Sequence, residues 1–126
     1  MIEHLYRGLC FFTTEAAPGG RHLYFLVTGP HSGRIVLANV SSVACFSGSV
    51  CIVKAGEHPG ITRTSHLRFK EARAADVKRV LLALNSNVFR QTADARAILI
   101  TKLAEALQAS DAVAGEVIDL IKVDRS

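Results

Sequence analysis

Arg21 and the pair Ser41-Ser42 are the residues of this chain whose types and placement best suit phosphate chemistry. Arg21 opens an apolar run, His22-Leu23-Tyr24-Phe25-Leu26-Val27-Thr28, and the next apolar run ends in Asn39-Val40-Ser41-Ser42. If the two runs are neighbouring strands, a guanidinium and two hydroxyls reach the same region of a small sheet. A guanidinium can brace two oxygens of a phosphoryl group, and a hydroxyl can bind a phosphate or position a nucleophile. The plainer reading of the same residues is an exposed Arg closing a loop and Ser side chains satisfying strand-end backbone. His22, His58 and His66 are the candidate proton carriers. The five histidines (these three with His4 and His31) follow no metal-ligand spacing, and a hydrogen-bonded structural role is the simpler expectation for each. No GxGxxG, GxxxxGK[ST], HExxH or GxSxG occurs, so no cofactor or metal is expected.

The elements that must hold these residues are legible in the hydropathy pattern. Leu9–Thr14 is β-branched and aromatic enough for a first strand, and Pro18-Gly19-Gly20 puts a loop before the second, His22–Thr28. Gly29–Gly33 is a turn, so Arg34–Val43 should return as the partner of a hairpin. Ser47-Gly48-Ser49 is a further turn, Val50–Lys54 a strand and Ala55–Gly60 a loop. Ile61–Phe69 alternates like an edge strand. The period then changes. Val77, Val80, Leu81 and Leu84 mark a helix over Ala74–Leu84, which Asn85-Ser86-Asn87 interrupts. A longer helix is predicted over Asp94–Ala109 and a third over Ala112–Val123, with Ser110 as its N-cap. The fold class is therefore α+β: a small antiparallel β-barrel of the SH3-like kind, then two or three α-helices. One domain over residues 1–126 is expected, β-rich over about 5–70 and helical over about 71–123.

With that frame in place the sequence resembles the MazF/PemK/Kid toxins. The resemblance lies in Arg21–Thr28, a short turn, and Ile35–Ser42. It continues through Gly56-Glu57-His58-Pro59 and the serine-led Thr64–Arg73, covering roughly residues 9–84. In that family an Arg-Pro opens the apolar strand; here His22 stands in place of the Pro. The resemblance implies an SH3-like barrel, a homodimer, and an endoribonuclease that cleaves single-stranded RNA without metal and is silenced by an antitoxin protein. It also allows a relative that keeps the fold without the reaction. It puts Arg21 in the place of the catalytic Arg and Ser41 or Ser42 in that of the catalytic Thr/Ser.

Charge adds a direction. The formal net charge is +4, and eight basic residues against three acids lie between Arg68 and Lys102. Beyond Leu103 the balance reverses. Arg63, Arg68, Lys70 and Arg73 are the candidate RNA contacts under the nuclease reading; a solvated helix face is the bland alternative. Three cysteines without CxxC spacing read as small buried thiols of a reducing compartment, no apolar run is long enough for a membrane span, and a cytoplasmic setting is expected. The competing function is a non-catalytic protein-interaction module with the same small-barrel-plus-helices fold. It is motivated by the apolar stripe over Ala97–Leu107, which looks larger than one small core can bury.

Overall fold

The computed structural model describes residues 1–14, 21–42 and 51–126. The loop at Pro18-Gly19-Gly20, the turn at Ser47-Gly48-Ser49, and Cys45 lie outside them. Among the described residues the fold is α+β, with seven antiparallel strands in one sheet and three α-helices. The strands are β1 (Cys10–Thr13), β2 (Leu23–Leu26), β3 (Arg34–Ser41), β4 (Ile52–Val53), β5 (Ser65–Leu67), β6 (Arg73–Asp76) and β7 (Phe89–Thr92). The helices are α1 (Val77–Asn85), α2 (Ala97–Gln108) and α3 (Gly115–Arg125).

β2 and β3 form the expected hairpin, with Leu23 opposite Val40 and Leu26 opposite Leu37. Ser32 (φ 51°) and Gly33 (φ 75°) close its tip between paired His31 and Arg34. Two successive positive φ values match the right-handed twist of the flanking strands, which explains a glycine there. The order across the sheet is β4-β5-β3-β2-β1-β7, and β6 pairs with the first half of β3 on the edge whose far end takes β5.

Both faces of the central strands are covered, so their sequences read as unbroken apolar runs. Leu23, Phe25, Val36, Ala38 and Val40 belong to a core shared with Leu99, Ile100, Leu103 and Leu107 of α2 and Val117 and Ile121 of α3. The alternate residues Tyr24, Leu26, Ile35 and Leu37 belong to a second core with Leu5, Leu9, Phe11 and, from α1, Val80 and Leu84. The apolar stripe of α2 is thus consumed by the molecule's own core. Ile98 (78% exposed) is the large apolar side chain that α2 leaves outside.

Three expectations are corrected. The stretch after residue 71 is not purely helical: Arg73–Asp76 and Phe89–Thr92 are strands. Ala74 and Ala75 favour a helix locally, yet the free edge of Arg34–Leu37 needs partners and takes them from β6. The helix therefore starts at Val77, where the Asp76 carboxylate accepts a hydrogen bond from the Arg79 amide at 3.2 Å. Phe89 is drawn into β7 by its stack on Phe11, with centroids 4.3 Å apart. Second, the strand expected over Ile61–Phe69 shrinks to Ser65–Leu67 and is not an edge, because it lies between β4 and β3. Ile61 is spent on the preceding loop: its amide donates to the His58 carbonyl at 2.9 Å, and its carbonyl accepts from Gly56. Third, Ser110 does not cap α3. Its hydroxyl accepts from the Ala112 amide at 3.1 Å, and the helix begins at Gly115.

Candidate functional site

The register fixes where the candidate residues meet. β2 and β3 pair Leu23 with Val40, so continuing along both chains sets His22 level with Ser41 and Arg21 level with Ser42. A cleft of about 430 Å³ opens at this end of the sheet. Arg21, His22, Ser41 and Ser42 line it together with Phe12, Gly60 and Arg63. The guanidinium of Arg21 lies 4.0 Å from the centre of the Phe12 ring. That stacking holds an otherwise exposed cation against an aromatic ring. Among the described residues no carboxylate forms an ion pair with Arg21, whereas Arg7, Arg34, Arg68 and Arg125 all have one. An unneutralised guanidinium beside hydroxyls is an anion site by its chemistry.

His22 is anchored through its backbone. Its amide donates to the Thr13 hydroxyl and its carbonyl accepts from the Thr13 amide, each at 3.0 Å. This extends the β1–β2 pairing and places His22 in the cleft wall.

His58 is placed differently. It is 1% exposed, and both ring nitrogens meet backbone groups. Nε2 lies 2.6 Å from the Ala93 carbonyl, and Nδ1 accepts from the Gly60 amide at 2.9 Å. Nε2 therefore carries the proton and Nδ1 the accepted bond. The ring also meets Phe25 edge-on at 5.7 Å. With both nitrogens so committed, His58 is a structural histidine joining the 55–60 loop to the segment before α2, and its candidacy as acid or base is withdrawn. His66 pairs with Ser41 across β3–β5, but it lies outside the cleft lining. On β5 it alternates with buried Ser65 and Leu67 and so shares the sheet face of its cross-strand partner Ser41.

Of the four candidate RNA contacts, Arg63 lines the cleft. Arg68 is held 3.5 Å from Glu71, and Lys70 projects from the single 3₁₀ turn Phe69–Glu71. Arg73 faces a separate recess of about 290 Å³ with Arg34 and Arg79, its guanidinium 5.8 Å from the Tyr24 ring centre. The sequence reading missed Phe12 as the support for Arg21. It also missed Gly60, where a Cβ would fall 2.9 Å from the Phe12 ring and 3.1 Å from His58 Nδ1. Gly60 next to Pro59 was a visible signal of tight approach; nothing in the sequence pointed to Phe12.

Three further ionisable groups bear on chemistry. Burial pushes the Cys10 thiol up to about 12, so it stays neutral, with Sγ donating to the Gly8 carbonyl. Burial raises Cys51 as well, and both are free buried thiols, as expected for them. Burial pushes the Glu57 carboxyl up, but the Lys54 amide and the Lys102 ammonium outweigh it and hold the group below its ordinary value. Lys102 reaches both Glu57 oxygens at 3.2 Å and so ties the 55–60 loop to α2. Among the described residues no cluster of three His, Cys, Asp or Glu side chains is arranged to hold a metal ion, and no helix is long and apolar enough to cross a membrane.

The chain has an α+β fold of the MazF type. It is similar in structure to a chain of the MazE–MazF complex from Deinococcus radiodurans, with a TM-score of 0.54 and 16% identity. The likeness covers 90% of this chain and all of that one. Neither a protein-family model nor a curated protein matches in sequence.

Proposed function

We propose that this protein is a toxin–antitoxin type endoribonuclease that cleaves single-stranded RNA without a metal, acting at the cleft under Arg21. The observation that carries the proposal is the Arg21 guanidinium, without a carboxylate partner among the described residues, stacked on Phe12 beside Ser41 and Ser42 in an open cleft. The fold shared with a chain of a MazE–MazF complex supports it and an antitoxin protein as partner; a homodimer as the working form is what the sequence resemblance implies. Free buried thiols fit a cytoplasmic setting.

In the reaction, the 2′-hydroxyl of a bound nucleotide attacks its own 3′-phosphate. The bond from phosphorus to the 5′-oxygen of the next nucleotide breaks. A 2′,3′-cyclic phosphate and a free 5′-hydroxyl result. Arg21 neutralises the charge that grows on the non-bridging oxygens, and Ser41 or Ser42 donates a hydrogen bond to the same group. The proton of the 2′-hydroxyl passes to His22, the one acid/base candidate in the cleft lining; a solvent water gives a proton to the departing 5′-oxygen, and His22 returns its proton to the hydroxide so formed. Arg63 holds the strand on the far side.

The test is cleavage of mixed-sequence single-stranded RNA by the purified protein in EDTA, with 2′-deoxy oligonucleotides of the same sequences alongside. The reading requires cleavage of the RNA and none of the 2′-deoxy strands. A folded protein inert on every RNA would move the assignment to a non-catalytic interaction module. The α2 stripe that motivated that alternative is buried in the core, so its surface would have to lie elsewhere.

A further inference from the structure

The sheet register carries the cleft further than the candidate residues suggest. Leu23 is opposite Val40 across β2–β3, Phe12 is opposite Leu23 across β1–β2, and Arg90 is opposite Phe12 across β1–β7. Arg90, Phe12, Leu23 and Val40 thus form one cross-strand row on one face, spanning three strand spacings or roughly 14 Å. Val40, Leu23 and Phe12 line the cleft already described. The row ends at Arg90, which lines an adjoining recess of about 360 Å³ with Phe12, Thr13, Thr14 and Arg21. The two recesses share Phe12 and Arg21, so they are neighbouring compartments with the stacked guanidinium between them. Arg90 is exposed, and among the described residues no carboxylate pairs with it.

We infer that Arg90, with the Thr14 hydroxyl, forms a second phosphate subsite, so that the strand is gripped at consecutive phosphodiesters by Arg63, Arg21 and Arg90. This rests on the RNA reading above and names how that site holds its substrate. The Thr13 hydroxyl already accepts from the His22 amide and keeps the junction between the compartments in place. A solvated arginine that merely guards an edge strand against pairing would have no reason to share a recess with Arg21, and the two roles separate in experiment.

The experiment measures binding of a fluorescent single-stranded 2′-O-methyl RNA of about twelve nucleotides, which cannot be cleaved at the 2′-position. Affinity is followed against salt for wild type, Arg90→Ala and Arg90→Lys, with circular dichroism to confirm folding. Arg90→Ala should weaken binding about tenfold at low salt and flatten the log–log salt slope by about 0.7. Arg90→Lys should keep the slope. Wild-type binding matched by Arg90→Ala in affinity and slope overturns the subsite and leaves the RNA reading standing. No binding by wild type overturns both.

Discussion

His58 offers the sharpest quantitative test, because the sequence marks it for chemistry and the structure gives it a scaffold role. Replacing it by Ala removes the Ala93 and Gly60 hydrogen bonds together with the edge-on contact to Phe25. Losing each bond and leaving its backbone partner buried and unsatisfied costs about 1–2 kcal/mol, or about 2–4 kcal/mol for the two. The vacated ring volume adds a cavity term, bringing the loss to about 3–5 kcal/mol. For a chain of this length each kcal/mol lowers the melting temperature by roughly 3–5 °C, so His58→Ala should melt about 10–20 °C below wild type. The assay is thermal unfolding by circular dichroism, with urea titration to confirm a lower midpoint at unchanged slope. His58→Asn, whose amide can keep one of the two bonds, should fall between. A His58→Ala protein that melts within about 3 °C of wild type but has lost RNA cleavage would refute the structural assignment and return His58 to the chemistry.

Gly60→Ala should lower stability by about 1–3 kcal/mol and weaken RNA binding, since the new methyl meets the Phe12 ring and the rigid His58 ring; chemical denaturation and the oligonucleotide titration read both. Alkylation at pH 7.5 followed by peptide mapping should label Cys10 far more slowly in the native protein than in urea, because burial holds its titration near 12; equal rates would contradict that. Glu57 titrates below its unfolded value, so the stability it lends is fully present above that unfolded value and drains away as pH falls through the folded one. Glu57→Gln should therefore flatten the acid limb of the stability–pH curve, and an unchanged limb would show that the Lys102 tether contributes nothing.

The parts of the fold that were legible are those where local pattern and tertiary demand agree. The β2–β3 hairpin announced itself through two apolar runs around Ser32-Gly33, and α2 through its stripe of Leu99, Leu103 and Leu107. Where the two disagree the pattern misled. Arg73-Ala74-Ala75-Asp76 has helix-forming residues, but the edge of β3 claims it as a strand. Phe89–Thr92 shows too little alternation to stand out, and its identity comes from Phe11 and β1 far away in sequence. The candidate site divides in the same way. Arg21 level with Ser42 follows from hairpin register, a short-range matter, and so it could be anticipated. Separating His22 from His58 and His66 needed long-range information: the Ala93 carbonyl that fixes His58, and the position on β5 that leaves His66 outside the cleft lining. Arg90 reaches the same row only through the β1–β7 pairing, across a sequence separation that no local pattern spans.

The central claim is that Arg21 stabilises charge on a phosphate in transit, and RNA cleavage by Arg21→Ala in EDTA tests it most directly. The guanidinium is exposed and held by stacking on Phe12, so the variant should fold with a near-normal melting temperature. Its kcat should fall by about 10²–10³-fold, the effect of removing one charge-stabilising donor, with Arg21→Lys recovering only a small part. Cleavage by Arg21→Ala at the wild-type rate would contradict the account.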